Sequence, residues 1–383
     1  MAPDRSSSAS LASSRVMPGS SGRCWGLVVA LMLGLAGSEG LHAATPRIQT
    51  IAGAGTIGSA GDGGPALAAQ LNNPFGVVKG PGGALFVCEY GGAVVRRIDA
   101  EGRISTVAGS GRIGPGGDGA LATEAEFNQP HEIRFDREGH LFIADMLNHR
   151  IRRVDARTHR VSTVAGTGRP GYRGDGGAAV DAELNNPISI QFDRHGDLFL
   201  CDIGNHRIRK VDMKTGLIVT VAGTGERAAT PDGAPYANAP LNGPRSIDFD
   251  RRGDLWVVLR EGNQVWRLES KTGLARHVAG TGRPGNTGNG GPAKQATLSG
   301  PKGIAVARNG DVYLVDTESH TIRRIESRTG NIDVVVGTGS KGDGPDGDPT
   351  RCALARPHGV FVERDGTLYI GDSENHRVRR FHP

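Results

Sequence analysis

The sequence predicts an all-β fold, namely a six-bladed β-propeller of four-stranded antiparallel blades whose ring is closed by an N-terminal strand at 48–53. Three observations predict it: a proline recurs every 56 or 57 residues, strand-like segments follow each proline, and segment 48–53 supplies a strand that the last copy lacks. A period this regular indicates one supersecondary unit copied six times. The aligned prolines are Pro74, Pro130, Pro187, Pro244, Pro301 and Pro357.

Each copy contains four strand-like segments, as the second copy illustrates. Its first segment, 133–136, leads into a turn that ends in glycine. Segment 141–145 is too apolar to face water and reads as a buried strand, while 151–155 alternates in polarity and 161–166 completes the unit. Such a blade exposes a sheet face that only a neighbouring copy can cover, which is typical of a propeller.

One aromatic side chain recurs at the second position of each buried strand. We interpret these aromatic residues as packing between neighbouring blades, because a large apolar ring at a fixed place in every copy fits a repeated interface. They are Phe86, Phe142, Phe199, Trp256, Tyr313 and Tyr369.

A polar turn follows the buried strand, and its motif carries a family resemblance. It reads Asn-His-Arg-Ile-Arg at 148–152 and 205–209 and Asn-His-Arg-Val-Arg at 375–379. This pattern resembles the NHL repeat, and the resemblance extends over 48–383. It implies a propeller but no particular function, because propellers of this kind include enzymes, receptors and scaffolds. Two copies depart from the motif, with Gly-Gly-Ala at 91–93 and Gly-Asn-Gln at 262–264.

Ring closure is predicted from the two ends of the repeat region. The last copy stops after its third strand at 379–383, whereas segment 48–53 matches the fourth-strand pattern of 161–166. We therefore expect the N-terminal strand to complete the C-terminal blade, which hides two sheet edges. The predicted organisation is one domain, 44–383, with repeats that start near 71, 127, 184, 241, 298 and 354.

The first 43 residues differ in composition from the rest. A Ser-rich start with basic residues precedes an apolar run over 24–36 and small residues near Ala43. This layout predicts a signal peptide, 1–43, cleaved after Ala43 or Ala44, and therefore a periplasmic or extracellular protein with no membrane span after cleavage. Ser38 stands where a lipoprotein signal needs a cysteine. An uncleaved membrane anchor is the alternative.

Composition argues against several other classes of protein. The 60 glycines show no three-residue period, so the chain is not collagen-like. The net charge of +5 comes from dispersed basic residues, and we expect no nucleic-acid partner. The cysteines that would remain after cleavage, Cys88, Cys201 and Cys352, are too few and too scattered for a disulfide framework and are predicted to be small buried residues. A monomer is expected.

Long glycine-rich loops join the blades, and each carries an acidic or amide residue at a matching place. Calcium needs six or more oxygen ligands, so a single carboxylate per loop is a weak calcium site and an Asx-turn is the preferred interpretation. The matching residues are Asp62, Asp118, Asp175, Asp232, Asn289 and Asp343.

The residue after each aligned proline should face the central channel. These six positions are Phe75, His131, Ile188, Arg245, Lys302 and His358. We predict that His131, Arg245, Lys302 and His358 form a positive patch for a small anionic molecule or a peptide carboxylate, with Arg245 able to offer two parallel hydrogen bonds.

Zinc is the alternative use of the same channel. The chain is distantly similar to the NHL-type amidating lyases, and that resemblance implies a zinc ion held in the channel by three histidines on inner strands. Only His131 and His358 match, whereas a catalytic zinc normally has three protein ligands. The histidines of the repeated turn are interpreted as structural; they are His149, His206, His320 and His376.

The sequence as a whole predicts an exported binding or scaffold module for a protein, a glycan or a small anionic ligand, rather than an enzyme. The alternative is a metal-assisted lyase or lactonase that uses zinc or calcium in the channel. The fourth copy also departs from the others at Leu259, where they carry an acidic residue. Function is expected where the copies disagree.

Overall fold

The computed structural model describes residues 45–383, so the predicted signal peptide and its cleavage site lie outside the described residues. The described chain forms six antiparallel sheets, numbered blades 1 to 6 from Pro74 onward. The first strands of adjacent blades contact one another around the ring, which makes them the innermost strands. The predicted six-bladed β-propeller is confirmed. Within 45–383, no helix has the length and apolarity needed to cross a membrane.

The first three blades are regular, with four strands each in sequential order. Blade 1 consists of Pro74–Lys79, Leu85–Glu89, Val94–Ile98 and Ile104–Ala108. Blade 2 consists of Pro130–Phe135, Leu141–Asp145, Arg150–Val154 and Val161–Ala165. Blade 3 consists of Pro187–Phe192, Leu198–Asp202, Arg207–Val211 and Ile218–Ala222.

Blades 4 to 6 keep this plan with two local changes. Blade 4 consists of Pro244–Phe249, Leu255–Leu259, Gln264–Leu268 and Ala275–Ala279. Blade 5 consists of Gly303–Val306, Val312–Asp316, Thr321–Ile325 and Asn331–Val336, with the two-residue strand Gly291–Pro292 added at its outer edge. Blade 6 consists of Val360–Val362, Leu368–Asp372, Arg377–His382 and the N-terminal strand Arg47–Ala52.

The N-terminal strand closes the ring as predicted. It pairs antiparallel with Arg377–His382, and Ile48 lies opposite Phe381 in the register. Both side chains are buried in one apolar cluster that blades 5 and 6 share. Arg379 adds a side-chain hydrogen bond of 2.6 Å to Thr50 Oγ1. Closure therefore combines backbone pairing, apolar burial and a polar contact between the two ends of the described chain.

The helical content consists of short 3₁₀ turns between strands. They have three residues each and lie either in the long loops between blades or in turns within a blade. Their bounds are Ala66–Ala68, Pro81–Gly83, Ala122–Glu124, Met146–Asn148, Ala179–Asp181, Ile203–Asn205, Tyr236–Asn238, Ala293–Gln295, Thr317–Ser319 and Ser373–Asn375.

The recurrent aromatic residues pack between blades, as predicted. Phe86 meets Phe135 of the next blade edge to face, with ring centroids 4.7 Å apart. Phe142 and Phe192 repeat this contact at 4.9 Å, and Phe199 and Phe249 repeat it at 5.0 Å. Aromatic rings prefer this geometry because the positive edge of one faces the negative face of the other. At the next interface the corresponding residues are Trp256 and Val306, and Val306 packs against the apolar cluster that contains Trp256.

In four blades, the histidine of the repeated turn forms a hydrogen bond to the backbone of the next blade. His149 adopts a left-handed conformation with φ 53°, and its Nδ1 accepts a hydrogen bond of 3.2 Å from the backbone N–H of Asn186. Asn186 directly precedes an aligned proline, so this bond, called the turn latch below, positions the start of the next innermost strand. His206, His320 and His376 form the same latch to Gly243, Arg356 and Asn73. The contacts support the structural interpretation of these histidines.

Two blades depart from the histidine latch, and both were visible as departures in the sequence. In blade 4, Asn263 Oδ1 accepts the equivalent hydrogen bond from the N–H of Gly300 at 2.9 Å. In blade 1, the latch position is Ala93, whose side chain has no group that accepts a hydrogen bond.

A buried arginine on the third strand of most blades explains the repeated acidic residues. In blade 2, Arg152 contacts Asp145 at 3.3 Å and Asp118 of the glycine-rich loop at 2.9 Å. Asp118 thus binds the guanidinium of Arg152 rather than forming the expected Asx-turn. A calcium ion could bind Asp118 only by displacing this guanidinium. The fully buried arginines of the five blades are Arg96, Arg152, Arg209, Arg323 and Arg379.

Blade 4 has neither partner of this ion pair. Leu259 replaces the acidic residue and Trp266 replaces the arginine, and the two side chains lie in one apolar cluster. Their exposures are 1% and 2%, so the replacement fills the same buried space. Elsewhere, Cys88, Cys201 and Cys352 are buried and unpaired, as predicted.

Candidate functional site

The channel mouth lies at the end of the ring where the innermost strands begin. A cavity of about 310 Å³ opens there. Each innermost strand starts at or close to an aligned proline, and a turn latch or its equivalent fixes the strand entry in every blade except blade 2. Five of the six predicted channel residues line the cavity, namely Phe75, His131, Arg245, Lys302 and His358. Ile188, the residue after Pro187, is buried in the core instead.

One wall of the mouth is a stack of three rings. Phe75 lies between Tyr90, at a centroid distance of 4.3 Å and an interplanar angle of 18°, and His358, at 3.8 Å and 10°. The rings of His131 and Phe75 form a T-shaped pair with centroids 5.0 Å apart. The two channel histidines therefore contact the same phenyl ring, and Tyr90, at the end of the stack, is its half-buried member.

His131 is held as a neutral imidazole. The side chain is only 7% exposed, and its Nε2 lies 2.6 Å from Nη2 of Arg245. A guanidinium only donates hydrogen bonds, so Nε2 of His131 accepts and the ring proton belongs on Nδ1. Burial, followed by the positive charge of Arg245, holds the pKa of His131 well below its ordinary value.

His358 has a similar arrangement with Lys302. Its Nε2 lies 3.3 Å from the Lys302 ammonium, and its Nδ1 lies 2.9 Å from the carbonyl oxygen of Arg356. The ring thus donates from Nδ1 and accepts at Nε2. Burial, followed by the charge of Lys302, holds the pKa of His358 well below its ordinary value.

Lys302 itself is 5% exposed and contacts Glu318 at 2.9 Å. Burial lowers the pKa of Lys302 to about 8, although Glu318 acts in the opposite direction. A substantial part of these side chains would therefore lose the positive charge just above neutral pH. The charge of the mouth changes with pH through this amine rather than through the histidines.

Arg245 is the cation whose charge is least compensated. In residues 45–383 no carboxylate lies within 4.0 Å of its guanidinium, and its Nε has no hydrogen-bond partner. Burial, followed by the charge of Arg260, lowers the pKa of Arg245 to about 10, so it stays charged at neutral pH. By contrast, Arg356 on the same cavity contacts Glu318 at 2.7 Å and Glu374 at 2.9 Å.

The mouth does not fit the zinc site that the lyase resemblance implies. His131 and His358 use their Nε2 atoms to accept hydrogen bonds from Arg245 and Lys302, so a cation bound there would face two positive charges. Throughout 45–383, no three His, Cys, Asp or Glu side chains are grouped so that they could hold a metal ion. The two weak metal candidates therefore lack a third ligand in the described chain.

Sequence reasoning missed a second ring of residues around the mouth. These residues directly follow the repeated acidic position of each blade, and four of them line the cavity: Tyr90, Met146, Arg260 and Ser373. They differ from copy to copy beside a constant motif. That variation was the available signal, and the departure of blade 1 at 91–93 lies directly next to Tyr90.

Comparison with known proteins gives family matches in the C-terminal third of the chain. A teneurin NHL domain model matches 261–344, and an NHL repeat model matches 354–381. NHL repeat-containing protein 2 of Bos taurus is 28% identical over 286 residues, which are 66% of this chain and 38% of that protein. The chain spans between a quarter and two fifths of the length of the first curated relatives it matches.

Solved structures share the fold at low sequence identity. An auxiliary nutrient binding protein from Bacteroides thetaiotaomicron superposes with a TM-score of 0.64 and 16% identity, covering 88% of this chain and 76% of that chain. Virginiamycin B lyase from Staphylococcus aureus gives a TM-score of 0.52 and 13% identity, covering 88% and 99%. Together with the repeated turns and the ring closure, these comparisons show a six-bladed β-propeller whose residues 261–344 and 354–381 match the teneurin NHL domain and the NHL repeat.

Proposed function

We propose that the protein is an exported binding module that captures a small organic anion, most simply a carboxylate, at the channel mouth. The observation that carries this proposal is Arg245, a guanidinium on the cavity wall with no carboxylate partner in residues 45–383. Export to the periplasm or the cell exterior rests on the predicted signal peptide and is part of the same proposal.

The charge and shape of the mouth support a carboxylate with a planar apolar part. Arg245 can donate two parallel hydrogen bonds to a carboxylate, and the nearby Lys302 adds positive charge. The half-buried ring of Tyr90, at the end of the stack, offers an aromatic surface for the rest of the ligand. The cavity, at about 310 Å³, is at the small end of the range for ligand sites.

Names among the structural neighbours are consistent with binding but identify no ligand for this chain. One neighbour is named as an auxiliary nutrient binding protein. Others are named as a lyase and a putative gluconolactonase. The alternative of a metal-assisted lyase or lactonase would need a third metal ligand at the mouth, and none of the described residues there supplies it.

Calorimetric titration of the mature protein with benzoate and with benzamide tests the proposal. The two probes share a ring, but only benzoate carries the charge that Arg245 is expected to bind. We expect benzoate to bind, benzamide to bind much more weakly, and Arg245→Gln to weaken benzoate binding by about tenfold or more. Arg194 is an exposed arginine in the turn between the first two strands of blade 3. Arg194→Gln is the matched control and should bind benzoate like the wild type.

Two results would overturn the proposal. One is equal binding of benzoate by the wild type and a folded Arg245→Gln variant. The other is stoichiometric zinc or calcium in the purified protein, measured by elemental analysis and lost on replacing His131 or His358, which would favour the metal-dependent enzyme instead.

Affinity should also depend on pH through Lys302. Because burial lowers the pKa of Lys302 to about 8, its positive charge is complete well below that value and is lost as the pH rises through it. We therefore expect benzoate affinity to fall between pH 7 and pH 9 in the wild type. In Lys302→Met this decline should largely disappear, and a decline that persists unchanged would assign the pH dependence to another group.

A further inference from the structure

A second cavity lies between blades 4 and 5, at the end of the ring opposite the channel mouth. This groove has a volume of about 580 Å³. Its apolar lining comes from Trp256, Val278, Val312 and Ile325. The strand ends and turns that surround it follow the innermost strands, whereas the mouth lies where those strands begin.

Next to the groove, blade 5 lacks an aromatic residue that blades 2 to 4 carry. At three other interfaces a phenylalanine at the end of the innermost strand packs edge to face on the aromatic residue of the preceding blade; these are Phe135, Phe192 and Phe249. Val306 occupies that place in blade 5, next to Trp256. Trp256, which lines the groove, therefore meets a valine of blade 5 where the aromatic residues of blades 1 to 3 meet a phenyl ring.

The rim of the groove carries uncompensated positive charge. Arg251, Arg252 and Arg308 line it, are exposed, and have no carboxylate within 4.0 Å among residues 45–383. The turn between the first two strands thus holds two arginines in blade 4, whereas the equivalent turn of blade 2 holds one arginine followed by Glu138.

The two acidic residues of the groove are already engaged. Asp250 accepts a hydrogen bond of 3.2 Å from the indole N–H of Trp256 and another of 2.8 Å from the backbone N–H of Arg252. Glu326 contacts Arg328 at 3.2 Å and accepts a hydrogen bond from Thr329 at 2.6 Å. Neither carboxylate neutralises the arginine rim directly, so the rim remains available to an anion.

We propose that this groove is a second ligand site, separate from the channel mouth, for an amphipathic organic anion with an apolar body and a phosphate or carboxylate head. The apolar body packs on Trp256 and its aliphatic neighbours, which removes apolar surface from water. The anionic head lies at the rim, where Arg251, Arg252 and Arg308 donate charge-assisted hydrogen bonds. A volume of about 580 Å³ is within the usual range for small-molecule sites.

Three probes separate the contributions of body and head. The mature protein is titrated calorimetrically with 1-naphthyl phosphate, with 1-naphthol, which has the same body without the charge, and with inorganic phosphate, which has the charge without the body. We expect 1-naphthyl phosphate to bind at least about tenfold more tightly than either fragment, because only it uses both parts of the groove. If inorganic phosphate bound as tightly as 1-naphthyl phosphate, the apolar part of the groove would contribute nothing to binding, and the proposal would be wrong.

Val306→Phe is the decisive variant, because it gives blade 5 the ring that blades 2 to 4 already have. The phenyl group should pack on Trp256, cover the indole surface that the ligand would use and weaken 1-naphthyl phosphate binding by about tenfold or more while the far-ultraviolet circular dichroism stays unchanged. Arg251→Ser combined with Arg308→Ser, both exposed, tests the rim independently if the first variant folds poorly. Arg194→Ser is the matched control at the same turn position in blade 3.

Failure of this proposal can be told apart from failure of the proposal for the mouth. Arg245→Gln should leave 1-naphthyl phosphate binding intact, and Val306→Phe should leave benzoate binding intact. If Arg245→Gln abolishes binding of the naphthyl probe and Val306→Phe does not, the probe binds at the mouth and the groove is not the site.

Discussion

Blade 4 and the other blades stabilise the same sheet with different chemistry. In blade 2, Asp145 and Arg152 form a fully buried ion pair between the second and third strands. In blade 4, the same two places hold Leu259 and Trp266, which pack in one apolar cluster. The latch differs as well, since Asn263 replaces the histidine that four other blades use. Blade 4 is thus built without titratable groups at all three positions.

This difference shows that the repeated polar residues serve the fold. An aspartate, a histidine and an arginine that recur in phase look like candidate chemistry, yet blade 4 replaces all three and keeps the sheet and the inter-blade bond. The groups that line the channel mouth are different residues, and they vary from blade to blade. Ligand recognition is therefore better sought among the variable positions than within the NHL motif.

The energetic contrast between the two blades is also clear. Burying an ion pair removes two charges from water, and an apolar pair of similar volume is often as stable or more stable. Burial raises the pKa of Asp145, Asp202 and Asp316 to about 6, although hydrogen bonds and the paired arginines act against it. Breaking one such pair should nevertheless be costly, because it leaves one buried charge without its partner.

The largest effect is expected from Arg152→Ala. The substitution leaves Asp145 buried without its guanidinium and removes the partner of Asp118, and we expect a loss of about 3–5 kcal/mol in the free energy of unfolding. Urea denaturation at pH 7 measures it. The neighbouring Arg153, which is only partly buried, is the control, and Arg153→Ala should cost no more than about 1 kcal/mol. Equal effects of the two variants would contradict a special role for the buried arginine.

The next largest difference in stability is expected when the apolar pair of blade 4 replaces the ion pair of blade 2. Asp145→Leu combined with Arg152→Trp removes both charges, so it should be more stable than Arg152→Ala by about 1–3 kcal/mol. Its free energy of unfolding should remain lower than that of the wild type, because Asp145 also accepts a hydrogen bond of 2.8 Å from the N–H of Asn128, and the variant loses this bond. If the double variant is no better than the single one, the apolar solution depends on other residues of blade 4.

The parts of this architecture that the sequence predicts are those encoded by repetition. The period, the aromatic interfaces and the closure by 48–53 follow from alignment of the copies, and the channel residues follow from their place after the aligned prolines. The contact of Arg152 with Asp118 joins a strand to a loop 34 residues away, and local patterns do not reveal such a pair. The groove beside Trp256 is lined by residues of blades 4 and 5, so it emerges only once the two blades are packed together.

The histidine latches predict a pH dependence that blade 4 does not share. Burial lowers the pKa of His149, His206, His320 and His376 below the ordinary value, so the unfolded chain binds protons more readily than the folded one. Their contribution to stability is complete above pH 6.5, the usual histidine pKa, and is lost as the pH falls below it. Protonation of Nδ1 would also remove the acceptor that the latch requires.

Titration of the buried aspartates changes stability with pH in the opposite direction. A variant that lacks only the latch histidines is therefore needed to isolate their contribution. Because their pKa is raised to about 6, Asp145 and its equivalents gain stability as the pH falls toward 4. Replacing the four latch histidines with asparagine, as in blade 4, removes only the histidine contribution. We expect the stability difference, wild type minus variant, to fall between pH 7.5 and pH 5.5 in urea denaturation. A constant difference would show that the latches do not titrate in this range.

The smallest expected effect on stability comes from replacing a latch histidine. It distinguishes the hydrogen bond of the histidine from the packing of its ring. Asn263 performs the latch in blade 4 at φ 46°, and asparagine tolerates this left-handed conformation well. His149→Asn should therefore change the free energy of unfolding by no more than about 0.5 kcal/mol, whereas His149→Ala should cost about 1 kcal/mol because the N–H of Asn186 loses its acceptor. Thermal and urea denaturation of the two variants measure the difference. If asparagine and alanine prove equally destabilising, the histidine stabilises blade 2 by packing, and the equivalence between blade 4 and its neighbours holds for the ion pair alone.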